Sequence, residues 1–401
     1  MKAPQDALIL EKTKMAQVQI QAPKIENLID TSNSFYQDLL GYKPEQTSLQ
    51  QISESQWNEF ANTRGLNPNS SGIYLPRNQR AVIRNENPLR LFHEYFGHGL
   101  YCEQSLQGRK LVELEKRLLE EEKQEFQKRQ FKLEDLQRFR KQSQTFQELD
   151  EFRKQNLTQY ELFAIWTEYL LSGEHNLRDE FGRKYDSLQN EDKEAVESVI
   201  NFSKSYGNLA TFYASGLARR TTPERVKRLL KDIYKDKLED VSFALLYGSR
   251  KEFSDIDVFM VGENLPETDS WLDVRVYAPN DLERRLILFD IAVTNPVITG
   301  EFLFGDKDYF EQVREKTLSQ PIIEDSIKHN LQESVNQKNL AQNYPENSQD
   351  RIRGLMYSLT YLKNALALES GIRLFTKEDL LSNSLREKQI QLKVGTEKNA
   401  T

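Results

Sequence analysis

The sequence has little cysteine and no long apolar run. Cys102 is the one cysteine among 401 residues, which excludes a disulfide scaffold and a zinc finger built on thiolates. No apolar stretch reaches the roughly 18 residues of a membrane-spanning helix, and the first residues lack a signal-peptide pattern. Hydrophobic residues still make up 38% of the chain, enough for packed cores. These features predict a cytoplasmic protein of two or three domains with no membrane partner.

Positive charge is also scarce. The chain has 55 Lys and Arg against 62 Asp and Glu, a formal net charge of −7. Proteins that hold nucleic acid mainly by electrostatics are usually basic, so this balance argues against that function class, although a local basic groove would remain compatible with it.

Glycine and proline are absent from Arg109 to Ser172, where Glu, Lys, Arg, Gln and Leu dominate. Apolar residues recur there at steps of three and seven. The recurring positions are Val112, Leu119, Phe126, Leu133, Leu136, Phe139, Phe146, Leu149 and Phe152. This heptad-like seam predicts an antiparallel helical arm over about 109–157, most simply with a solvated outer face. The alternative interpretation is a coiled coil that binds a partner or a second copy of the chain.

Two aspartates follow a glycine–serine turn in the segment VSFALLYGSRKEFSDIDVFMV. A predicted strand ends at Tyr247, and the backbone of the turn after it, Gly248 and Ser249, can approach a phosphate closely. Side chains two apart on a strand share a face, so Asp255 and Asp257 point the same way. Two such carboxylates repel each other unless a cation lies between them, and hard oxygen ligands suit Mg²⁺ or Mn²⁺.

A third carboxylate and a cation extend this pattern. Asp273 lies on the next predicted strand, LDVRV, where it could complete a two-metal clamp, and Asp290 is the alternative third carboxylate. Arg250 adds a positive charge beside the turn and is a candidate nucleotide ligand. A strand, Gly-Ser, a short loop, Asp-x-Asp and a later Asp together resemble the polymerase-β-type nucleotidyltransferase superfamily, especially its minimal members, over roughly residues 222–320.

The resemblance implies a reaction and a role for each residue. Gly248 and Ser249 would hold the triphosphate of an NTP, with ATP favoured. Asp255 and Asp257 would hold two Mg²⁺ or Mn²⁺ ions, and Asp273 would contact the catalytic ion and help to activate the acceptor hydroxyl. The acidic balance of the chain makes a protein or small-molecule acceptor more plausible than a long nucleic acid.

Two of the four histidines fall in one motif, HEYFGH, at residues 93–98. In the common zinc-binding helix the two histidines are four apart and share a face. His93 and His98 are five apart, about 140° around an ideal helix. Both can reach one ion if the helix contains a π-bulge, and Gly97 makes that distortion cheaper. The spacing therefore predicts a π-bulge and a zinc site.

A third zinc ligand is expected from the helical segment YELFAIWTEYLL. Glu161 is our candidate because it lies in an otherwise apolar stretch, where a carboxylate needs a partner. Glu168, two turns later near the same face, could instead be the ligand or orient one. Glu94 would be the general base that deprotonates the attacking water.

This half of the chain resembles the zincin metallopeptidases within about residues 70–175. HEYFGH is similar to the HExxxH helix of dipeptidyl peptidase III, and Glu161 with Ala164 is similar to the glutamate helix of gluzincins. The preceding GIYLPRNQRAVI, predicted as two short strands or a hairpin, looks like the edge strand that pairs with peptide substrates in such clefts. The resemblance implies Zn²⁺ as cofactor and a peptide in the cleft.

The predicted fold class is a multidomain α+β protein in three parts. A mostly helical zincin-like domain with the arm covers 1–220, an α/β nucleotidyltransferase domain with a small mixed sheet covers 221–320, and a helical domain with a polar tail covers 321–401. The predicted function is metal-dependent transfer of an NMP from an NTP to a hydroxyl, fused to a zinc-dependent peptidase. The alternative is a non-catalytic regulatory protein that senses nucleotide and peptide and recruits a partner through the arm.

Overall fold

The computed structural model describes residues 24–64, 66–128, 133–268, 270–376 and 379–380. Helices dominate, and two small mixed sheets accompany them. The helices are α1 (Ile25–Leu40), α2 (Glu54–Arg64), α3 (Pro88–Arg90), α4 (Gly99–Gln104), α5 (Leu106–Lys128), α6 (Leu133–Gln142), α7 (Gln144–Glu174), α8 (Arg178–Tyr185), α9 (Asn190–Tyr206), α10 (Asn208–Ala214), α11 (Pro223–Tyr234), α12 (Pro279–Ile287), α13 (Ile291–Thr299), α14 (Lys307–Ser319), α15 (Glu324–Gln342) and α16 (Gln349–Glu369). The strands are β1 (Ser48–Ile52), β2 (Gly72–Leu75), β3 (Arg80–Arg84), β4 (Val241–Tyr247), β5 (Ile256–Gly262), β6 (Leu272–Tyr277) and β7 (Glu301–Gly305). None of these helices is long and apolar enough to cross a membrane.

The first sheet has the order β1-β3-β2. Strands β2 and β3 form the expected hairpin, joined by a 3₁₀ turn at Pro76–Asn78. A third strand, β1, adds to the expected hairpin and pairs parallel to β3. The centre of β3 is buried, and β2 is left as an edge strand beside the histidine motif.

The predicted arm is present as α5, α6 and α7. Arg117 pairs with Glu148, and Arg153 pairs with Glu115, which fixes the antiparallel packing of α5 against α7. The returning part of the arm and the helical segment YELFAIWTEYLL form the single helix α7. Ser143 caps the start of α7, and the helix contains no glycine or proline before Gly173 in its last turn.

The buried stripe of the arm follows the predicted heptad seam only in part. Val112 and Leu149 are buried, and three further seam positions pack against their cluster: Phe139, Phe146 and Phe152. Leu119 is half-buried and Phe126 is 46% exposed, whereas Leu111, Leu114 and Leu118, outside the seam, are buried. A straight α-helix drifts relative to a seven-residue repeat, so positions seven apart move off the inner face.

The second sheet has the order β6-β5-β4-β7, with β4 antiparallel to both neighbours and β6 parallel to β5. Side chains alternate across it: Val258 and Met260 join one hydrophobic cluster, and Phe259 and Val261 join another. Helices α12, α13 and α14 cover the second cluster. Both faces of β5 are therefore packed, which leaves its polar groups at one end of the sheet.

One hydrophobic core joins the N-terminal half to the second sheet. It runs from α1 through the histidine segment, α10 and α11 to β4, β5 and β6. Across the predicted boundary at residues 220 and 221, Arg220 pairs with Glu252 at 2.7 Å, and Val226 packs in the same core as Tyr42. The three domain limits stay predictions.

Two candidate metal centres

Three carboxylates meet at one end of the second sheet. Asp257 on β5 lies directly opposite Asp273 on β6, and Asp255 immediately precedes β5. Their candidate ligand atoms all lie within 4.8 Å of one another, and all three residues are half-buried. Ile256 and Val258 are buried on the other side of the strand, as alternation along β5 requires. Carboxylate oxygens at this spacing form a donor set that suits Mg²⁺ or Mn²⁺.

Gly248 makes the bend beside these carboxylates. Its φ is +77°, in the left-handed region, and a Cβ there would lie 2.0 Å from Oδ2 of Asp257. Glycine is needed at this position for both reasons. The Ser254 hydroxyl donates to the carbonyl of Ser249 at 2.9 Å and closes the loop. Gly248 and Ser249 are both exposed, and Gly248 lies against the Asp257 carboxylate.

Two arginine side chains form ion pairs with carboxylates in and around this site. Nε of Arg275 lies 2.8 Å from Oδ1 of Asp273, a contact that sequence reasoning missed although Arg275 is two residues along the same strand. Arg250, the candidate nucleotide ligand, pairs with Glu301 at 2.7 Å. Arg250 therefore lies beside the glycine–serine turn but is bound to β7.

Asp290, the alternative third carboxylate, has a different role. It is fully buried and caps α13, it lies 2.8 Å from Arg285, and it accepts a hydrogen bond from the Tyr361 hydroxyl. Burial would raise the pKa of Asp290, but the hydrogen bonds it accepts, from His329 and Tyr361 among others, outweigh burial and lower it. The structure places Asp290 outside the carboxylate site, as an anchor between α13 and α16.

The histidine motif has π-helical geometry from Leu91 to His98, as its five-residue spacing requires. The rings of His93 and His98 have centroids 4.8 Å apart. Nε2 of His93 lies 3.5 Å from Oε2 of Glu161, and Nε2 of His98 lies 3.7 Å from its Oε1. Tetrahedral ligands at about 2.1 Å from zinc are roughly 3.4 Å apart, so the donor type and spacing both fit one zinc ion.

Gly97 allows the histidine segment to approach α7 closely. A Cβ at Gly97 would lie 2.7 Å from Cα of Ala164, one turn after Glu161. The two helices therefore touch through their backbones. This contact sets the distance across which the histidines face Glu161.

Glu168 lies behind His93, not beside the converging ligand atoms. It is fully buried, its Oε2 is 3.2 Å from Nδ1 of His93, and it pairs with Lys184. A carboxylate on the far nitrogen of a ligand histidine fixes the ring and raises its basicity. Of the two alternatives, Glu161 lies within 4.8 Å of the ligand atoms of both histidines, and Glu168 lies on the far side of the His93 ring. Nδ1 of His98, in contrast, has no hydrogen-bond partner within the described ranges.

The two histidines differ in charge at neutral pH. Burial disfavours the charged ring of His93, but its hydrogen bonds to Glu161 and Glu168 outweigh burial and raise its pKa to about 9. Burial and the neighbouring charge of His93 lower the pKa of His98 to about 3. Glu161 is partly buried, yet the two histidines hold its pKa at about 2. The site is thus an anion facing one imidazolium, and a divalent ion would displace that proton.

Glu94 faces the same space and the edge strand β2. Its Oε2 lies 3.9 Å from Nε2 of His98, and burial raises its pKa, against the opposing charges of His93 and Arg90. A raised pKa suits a general base. A Cβ on Gly72, the first residue of β2, would lie 2.9 Å from Cγ of Glu94. An extended peptide paired with β2 would therefore pass beside Glu94.

Sequence reasoning missed three neighbours of this site. Arg90 lies 3.9 Å from Glu94, Lys184 pairs with Glu168, and the Tyr160 ring stacks on His98 with centroids 3.9 Å apart. The four-residue spacing from Arg90 to Glu94 was an available signal, since such residues are neighbours on a helix. Nothing local in the sequence indicates the contact made by Lys184.

Comparisons with known proteins add little. No protein-family model matches the chain, and no curated protein matches it significantly. Among solved structures, the chain is similar to a nucleotidyltransferase-like protein from Exiguobacterium sibiricum, with 14% identity and a TM-score of 0.24. The match covers 41% of this chain and 62% of that one, so it spans less than two thirds of the neighbour. A likeness this weak establishes neither fold nor function, and both family resemblances remain hypotheses based on residues and geometry.

Proposed function

We propose that the carboxylate site transfers a nucleoside monophosphate from an NTP to a hydroxyl group of an acceptor. The observation that carries the proposal is the position of Asp257 directly opposite Asp273, with Asp255 within 4.8 Å and the Gly248 bend against Asp257. Mg²⁺ or Mn²⁺ held there would promote attack by the hydroxyl and stabilise the leaving pyrophosphate.

Each residue around the carboxylate site would have a separate role in this reaction. The backbone of Gly248 and Ser249 would hold the triphosphate, and Arg250 would exchange Glu301 for a phosphate oxygen. Asp255 and Asp257 would hold the metal ions. Asp273 would orient the acceptor hydroxyl and take its proton as the new oxygen–phosphorus bond forms and the bond to pyrophosphate breaks. The net charge of −7 favours a protein or small molecule as acceptor.

The test is incubation with each α-labelled NTP and Mg²⁺ or Mn²⁺, with pyrophosphate release and label transfer as readouts. Asp255→Ala and Asp257→Ala should abolish both. Asp308→Ala, at an exposed aspartate on α14, is the matched control and should leave both unchanged. Tight NTP binding without pyrophosphate release would favour the regulatory alternative instead.

We also propose that the histidine site binds zinc and hydrolyses peptides. A specific observation favours this second function, because the π-helical segment brings His93 and His98 to Glu161 while Glu168 orients His93. Zinc in this site would lower the pKa of a water molecule and polarise a peptide carbonyl. Glu94 would accept the proton of that water and pass it to the leaving amine.

Measuring zinc content and peptide hydrolysis together distinguishes a zinc ligand from the general base in this site. Elemental analysis should find about one zinc per chain, lost in His93→Ala. Glu94→Gln should keep the zinc and lose hydrolysis of a fluorogenic peptide library. Glu174→Gln, at an exposed position on the same helix as Glu161, should keep both. A chain that cannot be loaded with zinc would refute the peptidase proposal.

A further inference from the structure

The hairpin of α15 and α16 is docked on the second sheet's domain through one face. Side-chain amides of Asn330 and Asn364 both donate to the carbonyl of Phe289, at 3.3 and 2.9 Å. Asn364 also donates to Asn330, and the Tyr361 hydroxyl donates to Asp290. These buried, directional contacts fix the orientation of the hairpin.

The opposite side of the hairpin is apolar and exposed. Large apolar side chains there expose between 38% and 53% of their surface. They are Leu331 and Val335 on α15 and Ile352, Leu355, Met356, Leu359, Leu362 and Leu366 on α16. We call this set the hairpin face. Single exposed leucines are ordinary, but a contiguous apolar patch of this kind marks an interaction surface.

The apolar stripe on α16 is self-complementary. Counted from Leu359, it has apolar residues at −7, −3, +3 and +7. An antiparallel two-fold axis through Leu359 would place Ile352 of one copy beside Leu366 of the other, and Met356 beside Leu362. Apolar side chains would then meet apolar side chains across the axis, as the self-complementary surface of an isologous dimer requires.

We propose that the chain forms a homodimer in which two hairpin faces pack into a four-helix bundle, with α16 antiparallel to α16 of the second copy around Leu359. From its exposed fractions the hairpin face offers on the order of 700 Å² per chain, close to the about 800 Å² per partner of a standard interface. Lys363 is the one departure from the symmetry, since it would lie near Leu355. A lysine there can lay its methylenes on the apolar stripe and keep its ammonium at the rim.

Sedimentation velocity and light scattering on the full chain test the dimer. The wild type should have twice the chain mass of 47.0 kDa. Leu359→Glu places two like charges at the axis and should weaken association at least about 100-fold, giving the monomer mass. Leu340→Glu is the matched control, because Leu340 is 54% exposed on α15 but points away from the hairpin face. It should remain dimeric.

A cross-link tests the axis itself and does not depend on how well Leu359→Glu folds. Leu359→Cys, oxidised with copper phenanthroline, should give a covalent dimer, and Leu340→Cys should not. The natural thiol, Cys102, is buried and does not compete. A wild type that stays at 47.0 kDa at 100 µM would overturn the proposal. A dimer that resists Leu359→Glu and does not cross-link would also overturn it, and would assign association to another surface such as the arm.

Discussion

Single residues set the closest approaches in both candidate sites. Gly248 contacts the Asp257 carboxylate, Gly97 contacts Ala164, and Gly72 contacts Glu94. At each point a Cβ would occupy space that a neighbouring side chain or backbone already fills. These glycines are therefore as informative about the sites as the charged residues are.

Gly248→Ala should reduce nucleotidyl transfer by about 100-fold or more, because the added methyl group displaces the Asp257 carboxylate. The measurement is kcat/KM for pyrophosphate release. Gly371→Ala controls for backbone strain, since Gly371 has a similar φ of +73° and nothing within 4 Å of the added Cβ. Equal activity in the two variants would contradict the placement of the bend against Asp257.

Glu168→Gln should weaken zinc binding by roughly 10- to 100-fold, because glutamine orients His93 without the charge that raises its basicity. Glu161→Ala should weaken binding further, since it removes a ligand. Competition with a chromogenic chelator measures both dissociation constants. If Glu168→Gln proves the more damaging change, the two glutamates have been assigned the wrong way round.

At the scale of elements, one long helix connects the arm to the histidine site. Helix α7 begins in the arm and continues to Glu161 and Glu168. Along the arm, the buried carboxylates Glu115 and Glu122 form ion pairs with arginines. Binding of a partner through the arm, the earlier interpretation, stays a prediction.

Asp290→Ala should destabilise the fold by about 2–4 kcal/mol, because it leaves the buried Tyr361 hydroxyl without its acceptor and removes the cap of α13, whereas Arg285 keeps its second partner, Asp281. Asp306→Ala is the matched control: Asp306 caps α14 in the same way but is exposed, so its loss should cost about 1 kcal/mol. Denaturant unfolding at neutral pH measures both.

Comparison of the wild type with Asp290→Ala also predicts how the stability contributed by Asp290 depends on pH. The pKa of Asp290 is lower in the folded chain than its ordinary value, so its stabilising contribution is present at neutral pH. That contribution disappears as the pH falls through the folded-state pKa. The stability difference between wild type and Asp290→Ala should therefore shrink in acid, and a difference that grows would refute the assignment.

At the scale of the whole molecule, the two candidate sites share one scaffold. Glu252, in the loop between the Gly248 bend and Asp255, pairs with Arg109 at 2.9 Å and with Arg220 at 2.7 Å. Arg109 lies on α5, shortly after the histidine segment. The loop of the carboxylate site is therefore held by α5, the helix that follows the histidine site.

A shared core predicts cooperative unfolding. Calorimetry should show one transition that includes both the histidine segment and the second sheet, because one hydrophobic cluster contains residues of each. If zinc binds the native chain, chelation should lower the temperature of that whole transition. Two separate transitions, with the shift confined to one of them, would show that the halves are independent domains.

Much of the local structure could be predicted from sequence because it depends on spacing along the chain. Alternation around Asp255 and Asp257 indicates a strand with two carboxylates on one face. The five-residue step from His93 to His98 predicts a π-helix if both histidines are to reach one ion. The expected hairpin before it depends on Pro76 and neighbouring turn residues. The arm follows from a stretch without glycine or proline. Each of these features is decided within a few residues.

The tertiary structure decided which of several equivalent groups meet. Glu161 and Glu168 lie on the same helix, and only the packing of the histidine segment against α7 puts the first beside Nε2 and the second behind Nδ1. The parallel pairing of β5 with β6 likewise brings Asp273 to Asp257 and leaves Asp290 buried elsewhere. Periodicity reports which face a side chain is on, whereas the partner and its distance depend on packing between segments far apart in the chain.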